Sequence, residues 1–197
     1  MTDTSSRKQA FRLTSRLSDP LDLYEHLPFR MAVISNLLML DRDINIRTAA
    51  DLGPRELRVL LNVGSYMPIS SADIAYQTRV DSYTVSRAVS VLHKKGYLDF
   101  EASPSSRRVK MLVLTGAGKA LYEQISIGID QRSERLTEIL TEQELAEMKR
   151  MLALLEDRAE AILADQAENW REKEGDIPAD QKELIRWRKK SHKKIVT

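Results

Sequence analysis

Apolar residues recur at helical spacing along most of the chain, and the breaks between them divide it into segments. Met31, Ile34, Leu37, Leu38 and Leu40 follow Pro28, a residue suited to a first helical turn, and predict a helix reaching about Ile44 that is apolar enough to be buried on two sides. Gly53-Pro54 opens a second helix with Leu57, Val59, Leu60, Leu61 and Val63 inside and Gly64 near its stop. Ser70 followed by Asp73 fits a capping box, so a short helix is expected over Ser71 to Gln77, with Ile74 and Ala75 inward. Thr78 to Val80 form a turn. Asp81 then caps a helix from Ser82 to Lys95 whose inner face is Val85, Ala88, Val89 and Leu92, and Gly96 suits its C-terminal cap.

The periodicity then changes from helical to extended. Tyr97 to Glu101 and Val109 to Leu114 are rich in β-branched, aromatic and aliphatic residues, and Ala102 to Ser106 with Pro104 supply a turn, which together predict a two-stranded hairpin. Thr115 caps a long helix with Leu121, Ile125, Ile129, Leu136 and Ile139 at near-heptad spacing. Thr141 and Glu144 cap the next, carrying Leu145, Met148, Leu152, Leu155, Ile162 and Leu163. An antiparallel pair of such helices has more apolar surface than one small domain covers, leaving two arrangements: a homodimer built on the terminal helices, or packing within one chain. The fold class is mainly α with a small antiparallel β-wing.

Composition narrows the chemistry by exclusion. Cysteine is absent from all 197 residues, which removes disulfides, thiolate metal sites and thiol-based redox sensing. No run approaches the ~18 apolar residues of a membrane span, and the N-terminus lacks the apolar core of an export signal, so a soluble cytoplasmic protein is expected. The net charge of +2 conceals segregation. Arg79 to Lys119 holds eight basic and three acidic residues, whereas Ala120 to Trp170 holds twelve acidic and five basic ones. Either these are two ordinarily solvated faces, or a phosphate-facing module adjoins a part held off nucleic acid. Residues 1–20 are polar and basic, with Arg7, Lys8, Arg12 and Arg16, and read as a mobile arm. After Gly175 to Pro178, the run Arg186 to Lys194 has six bases and no acid. That run reads as a solvated, disordered end, as a nonspecific phosphate contact, or as a tail anchored through Trp187.

The order helix, tight turn, helix, basic hairpin is what a protein needs to enter a DNA major groove while touching the neighbouring minor groove. Ser82, Tyr83, Thr84, Ser86 and Arg87 occupy the first turn and a half of the second helix, where hydroxyls and a guanidinium can donate to base edges or phosphates. At the hairpin tip Arg107 and Arg108 point to opposite sides by strand alternation, with Lys110 behind them, so one arginine can enter a narrow groove. Catalytic patterns fail. His26, His93 and His192 have no metal-ligand spacing, and Gly116-Ala117-Gly118-Lys119 lacks the earlier glycine and the hydroxyl of a phosphate loop. No enzyme, metal or cofactor is expected.

The stretches SSADIA, DSYTVSRAVSVLHKKGYL and SRRVKMLVLT-GAG, with the long helix pair after them, resemble the MarR family of winged helix-turn-helix repressors over about residues 27–170. The resemblance implies a homodimer bound to a pseudo-palindromic DNA operator and released by a small effector, often a phenolic or aromatic carboxylate. On this resemblance together with the residue pattern at the two ends, the chain is expected to divide into an arm (1–20), an N-terminal helix contributing to dimerisation (21–50), a winged helix-turn-helix (51–115), dimerisation helices (116–174) and a basic C-terminal tail (175–197). The family's wing usually reads Asp-x-Arg; here Ser106 and Arg108 hold those positions, and Glu101 is the candidate replacement carboxylate on the opposite strand. The implied effector crevice would draw on His26, Phe29, Arg30 and Arg58. Two other readings are a sequence-tolerant architectural DNA binder and a protein interaction module on the same fold.

Overall fold

The computed structural model describes residues 11–103 and 106–195, without the side chains of 106–108 and 192–195. Arg7 and Lys8 of the arm and Pro104 and Ser105 of the wing turn lie outside the described residues. Residues 11–26 form neither helix nor strand. The N-terminal helix α1, Leu27–Leu37, starts at the proline but stops well short of Ile44 and buries none of its residues. A single 3-10 turn, Leu40–Arg42, and a short helix α2, Ile44–Ala49, replace the continuous helix expected from the apolar run. The break has a local cause. Asp43 takes an extended backbone, and its carboxylate accepts the Asn45 N–H at 2.9 Å, capping α2 and turning Ile46 into the core at 1% exposure.

Helix α3, Pro54–Tyr66, buries Leu57, Val59, Leu60 and Val63. It ends two residues past Gly64, close to where the sequence pattern places its stop. A Cβ on Gly64 would overlap the Tyr122 ring, so the glycine permits close approach to the next long helix. The two-residue strand Ile69–Ser70 (β1) adds to the expected hairpin, giving a three-stranded antiparallel sheet in the order β1-β3-β2. Helices α4, Ser71–Thr78, and α5, Ser82–Lys94, agree with the sequence pattern to within a residue. Both strands of the wing, β2 (Leu98–Ser103) and β3 (Ser106–Leu114), run further toward the turn than expected, with a bulge at Ala102/Ser103.

One core joins these elements: Leu57, Leu60, Ile74, Leu92, Leu98, Leu112 and Ile125 are each no more than 2% exposed. Helix α6, Gly116–Thr137, enters it through its first turns only. Thr115 caps α6 by accepting the Gly118 N–H at 3.0 Å while donating to the Gly96 carbonyl at 2.6 Å, which ties the helix start to the end of α5. Leu121 and Ile125 are buried, whereas Leu136 and Ile139 are 49% and 82% exposed. Helix α7, Glu142–Glu174, opens on the expected Thr141/Glu144 capping box and, at 33 residues, is roughly 50 Å long. The antiparallel pairing of the two long helices does not form within the chain. Met148, Leu152, Leu155, Ile162 and Leu163 of α7 are all 38% or more exposed.

The expectation of a disordered tail is overturned. Ala179–Ile195 form a helix, α8, that packs on α7 through Ala167, Ile177 and Ile185. Ion pairing draws it in as well, with Arg188 bonded to Asp165. Once Ile185 and Trp187 can be covered, a helix costs less than leaving them in water.

Candidate nucleic-acid interface

Two caps set the geometry of the helix-turn-helix. The Ser70 hydroxyl accepts the Asp73 N–H at 3.1 Å and donates to its carboxylate at 2.6 Å, starting α4. Arg79 ends α4 with a left-handed backbone (φ 52°), a conformation uncommon for a non-glycine residue. Asp81 then caps α5 by accepting the Thr84 N–H at 2.8 Å, and this bond holds its carboxyl below the usual range.

With Val85, Ala88, Val89 and Leu92 fixed inward, the remaining positions of α5 define its outer face. Ser82, Tyr83, Ser86, Arg87 and Ser90 are exposed, Tyr83 at 70%. The Arg87 guanidinium lies 5.7 Å from the centre of the Tyr83 ring, so two of the expected contact residues form one stacked unit. Thr84 is placed differently. It is half-buried and lines a cavity of about 160 Å3 with Arg55 and Arg58, behind the outer face.

The wing stands beside α5. His93 of α5 packs its ring 4.9 Å from Phe100 of β2, and Lys110 of β3 places its ammonium 5.2 Å from the same ring. Arg107 and Arg108 occupy consecutive β3 positions beside the turn; their side chains lie outside the described residues. The register pairs Glu101 with Met111, three residues along β3 from Arg108, so Glu101 does not stand opposite that arginine.

The four suggested effector residues do not converge. Phe29 and Arg30 line a largely apolar cavity of about 780 Å3 with Phe11, Leu21 and Tyr24, and the Arg30 guanidinium stacks 4.6 Å from the Tyr24 ring. His26 is the exposed residue before α1, making no capping bond with its side chain. Arg58 belongs to the small cavity behind α5.

The sequence pattern missed the contacts of α8 with the helix-turn-helix. Both carboxylate oxygens of Glu183, itself 8% exposed, lie 3.2 Å from the Ser82 N–H at the start of α5. Lys190 pairs with Asp73, the Tyr76 and Ser191 hydroxyls are 2.8 Å apart, and Arg79 pairs with Glu160 of α7. The available signal was the seventeen residues after Pro178 without glycine or proline, in which Leu184, Ile185 and Trp187 interrupt the charges.

Among the described residues no group of three or more metal-ligating side chains occurs, and no helix is long and apolar enough to cross a membrane. A capped helix-turn-helix with a polar outer face, followed by a basic two-stranded wing, defines a winged helix-turn-helix protein. Residues 50–109 match the model of the MarR family. Its fold is shared by a MarR/EmrR family transcriptional regulator from Acinetobacter sp. ADP1 (24% identity, TM-score 0.65), with 71% of this chain covering 98% of that one. FabT of Streptococcus pneumoniae, solved in complex with DNA, is 22% identical (TM-score 0.58), with 71% of this chain covering 99% of that one. The PcaV regulator of Streptomyces coelicolor, solved with its natural ligand, is 19% identical (TM-score 0.59), with 72% and 99% covered. No curated protein sequence matches the chain.

Proposed function

We propose that this chain is a homodimeric transcriptional repressor that binds a pseudo-palindromic DNA operator and leaves it when a small aromatic or phenolic carboxylate binds. The observation that carries the reading is the outer face of α5. Ser82, Tyr83, Ser86 and Arg87 are exposed together at the N-terminal end of a helix whose other face is locked into the core, which is the end that a recognition helix presents to base edges. Lys110 and the backbone positions of Arg107 and Arg108 supply the basic wing beside it. FabT, which shares the fold, was solved on DNA, and PcaV with a ligand.

Dimerisation is supported by what one chain leaves uncovered. Large apolar side chains of α1, the end of α6 and the middle of α7 are exposed, among them Phe29, Ile34, Leu136, Met151, Leu154 and Ile162. For the effector, the cavity beside Phe29 and Arg30 combines apolar walls with a guanidinium suited to a carboxylate, and its volume of about 780 Å3 lies within the range of small-molecule sites.

Selection of duplexes from a random library by the full chain, followed by affinity measurement at physiological salt, tests the reading. A repressor prefers the selected duplex over a random one by at least ~10^3. Equal affinity for the two contradicts it and favours a sequence-tolerant architectural binder.

A further inference from the structure

We infer that α8 is a second DNA-contacting element, which carries a row of basic side chains beside the recognition helix and grips the phosphate backbone flanking each half-site. This rests on the reading of the chain as a DNA-binding regulator and names a surface that the winged helix-turn-helix alone lacks. The inference starts from how α8 is oriented. At about 100° per residue, Glu183, Trp187 and Lys190 fall on one side of the helix, and all three meet the helix-turn-helix: Glu183 at the Ser82 N–H, Lys190 at Asp73, and Trp187 with its ring 5.9 Å from the Arg79 guanidinium. Ile185 and Arg188 fall on another side, against α7.

The side left open carries three cations. Lys182, Arg186 and Lys189 are exposed and fall within about 60° of one another, roughly a quarter turn from the residues docked on the helix-turn-helix. Two of the three are in ion pairs, Lys182 with Asp176 at 2.7 Å and Arg186 with Glu183 at 3.9 Å, but their side chains remain 51% and 69% exposed. The Lys182 pair, exposed on both sides, contributes little and exchanges readily for a phosphate, whereas Arg186 rests at long range on the buried Glu183 with its own side chain open to solvent. Lys189 has no ion-pair partner among the described residues.

The docked position decides what the row can serve. Glu183 is buried at the first turn of α5, so Lys182 and Arg186, its neighbours on α8, are held next to the end of the recognition helix. Docking does not cover the reading face, because Tyr83, Ser86 and Arg87 stay exposed with α8 in place. A helix that blocked DNA would hide that face; this one flanks it. Cations in a row, with no base-reading geometry imposed on them, suit the sequence-independent contacts that set affinity and salt dependence. The relatives with this fold are covered almost whole by 71% or 72% of the chain, so more than a quarter of its length is additional to the shared architecture.

The test measures the full chain and its Lys182→Gln/Arg186→Gln/Lys189→Gln variant on two duplexes of roughly three helical turns, one selected by the full chain and one random, across a salt series. A second variant, Arg135→Gln/Lys149→Gln/Lys173→Gln, removes the same charge from α6 and α7. The first variant is expected to bind both duplexes at least ~10-fold more weakly, with the slope of log affinity against log salt flatter by about 0.9 for each phosphate that is no longer neutralised. The preference for the selected duplex and the melting temperature stay unchanged, and the second variant behaves like the parent. An unchanged affinity and slope in the first variant, or an equal loss in the second, overturns the role of α8 while leaving the repressor reading intact. If the parent chain binds neither duplex, both readings fall.

Discussion

Gly118 sits where α6 crosses the end of α5, and a Cβ there would overlap the carbonyl oxygen of Tyr97. Backbone cannot move aside as a side-chain tip can, so Gly118→Ala is expected to cost about 2 kcal/mol or more, the scale of an overpacked core, and to lower the melting temperature by several degrees. A melting curve equal to that of the parent contradicts this close approach. Asp81 gives a second residue-scale expectation, this time in pH. Its carboxyl is held below the ordinary value of 3.8 by the Thr84 N–H, so the charged cap stabilises the fold fully above about pH 4 and is lost as pH falls through the lower folded-state value. Asp81→Asn keeps a capping oxygen but removes that titration. Thermal melts between pH 5 and 2 should therefore fall less steeply for the variant, and identical slopes would remove Asp81 from the acid response.

At the scale of elements, the proposed function divides the work of recognition between α5 and the wing. Arg87→Ala removes a guanidinium from the reading face and is expected to cost about 1–3 kcal/mol on the selected duplex while changing binding to random DNA little. Arg108→Ala in the wing is expected to weaken both and to flatten the salt slope by about one unit. Competition binding across a salt series separates the two, and interchangeable effects would contradict the division. These elements were legible in the sequence because their signals are local: Ser70 and Asp81 each fix a helix start through a residue three positions away, and the inner faces of α4 and α5 follow from spacing alone. The break before Asp43 was hidden by the apolar positions that recur at helical spacing up to Leu40 and resume at Ile44, since one capping bond outweighed the periodicity. Gly64 does lie near the end of α3, but its close approach to the Tyr122 ring was not legible, because that ring lies 58 positions away in sequence. The docking of α8 was invisible for the same reason. A basic run is equally compatible with solvent until Glu183, Lys190 and Ser191 find partners on an element about a hundred residues earlier.

Across the whole molecule, the exposed apolar side chains of α1, α6 and α7 mark a surface that one chain cannot satisfy. Leu152→Glu/Leu155→Glu places two charges in the middle of the exposed face of α7 and is expected to give a folded monomer by sedimentation velocity. A variant that stays dimeric would move the interface away from α7. The monomer should also lose most of its affinity for the selected duplex, because each winged unit then binds a half-site alone instead of as one of a linked pair. The same linkage gives the most direct test of the central claim, that two recognition helices read two half-sites in successive major grooves about 34 to 36 Å apart. The measurement is the affinity of the full chain for its selected duplex before and after insertion of about half a helical turn of DNA, some five base pairs, between the half-sites. The account predicts that the insertion, which turns the half-sites to opposite faces of the duplex, reduces affinity to that for random DNA; an affinity unchanged by the insertion would contradict it.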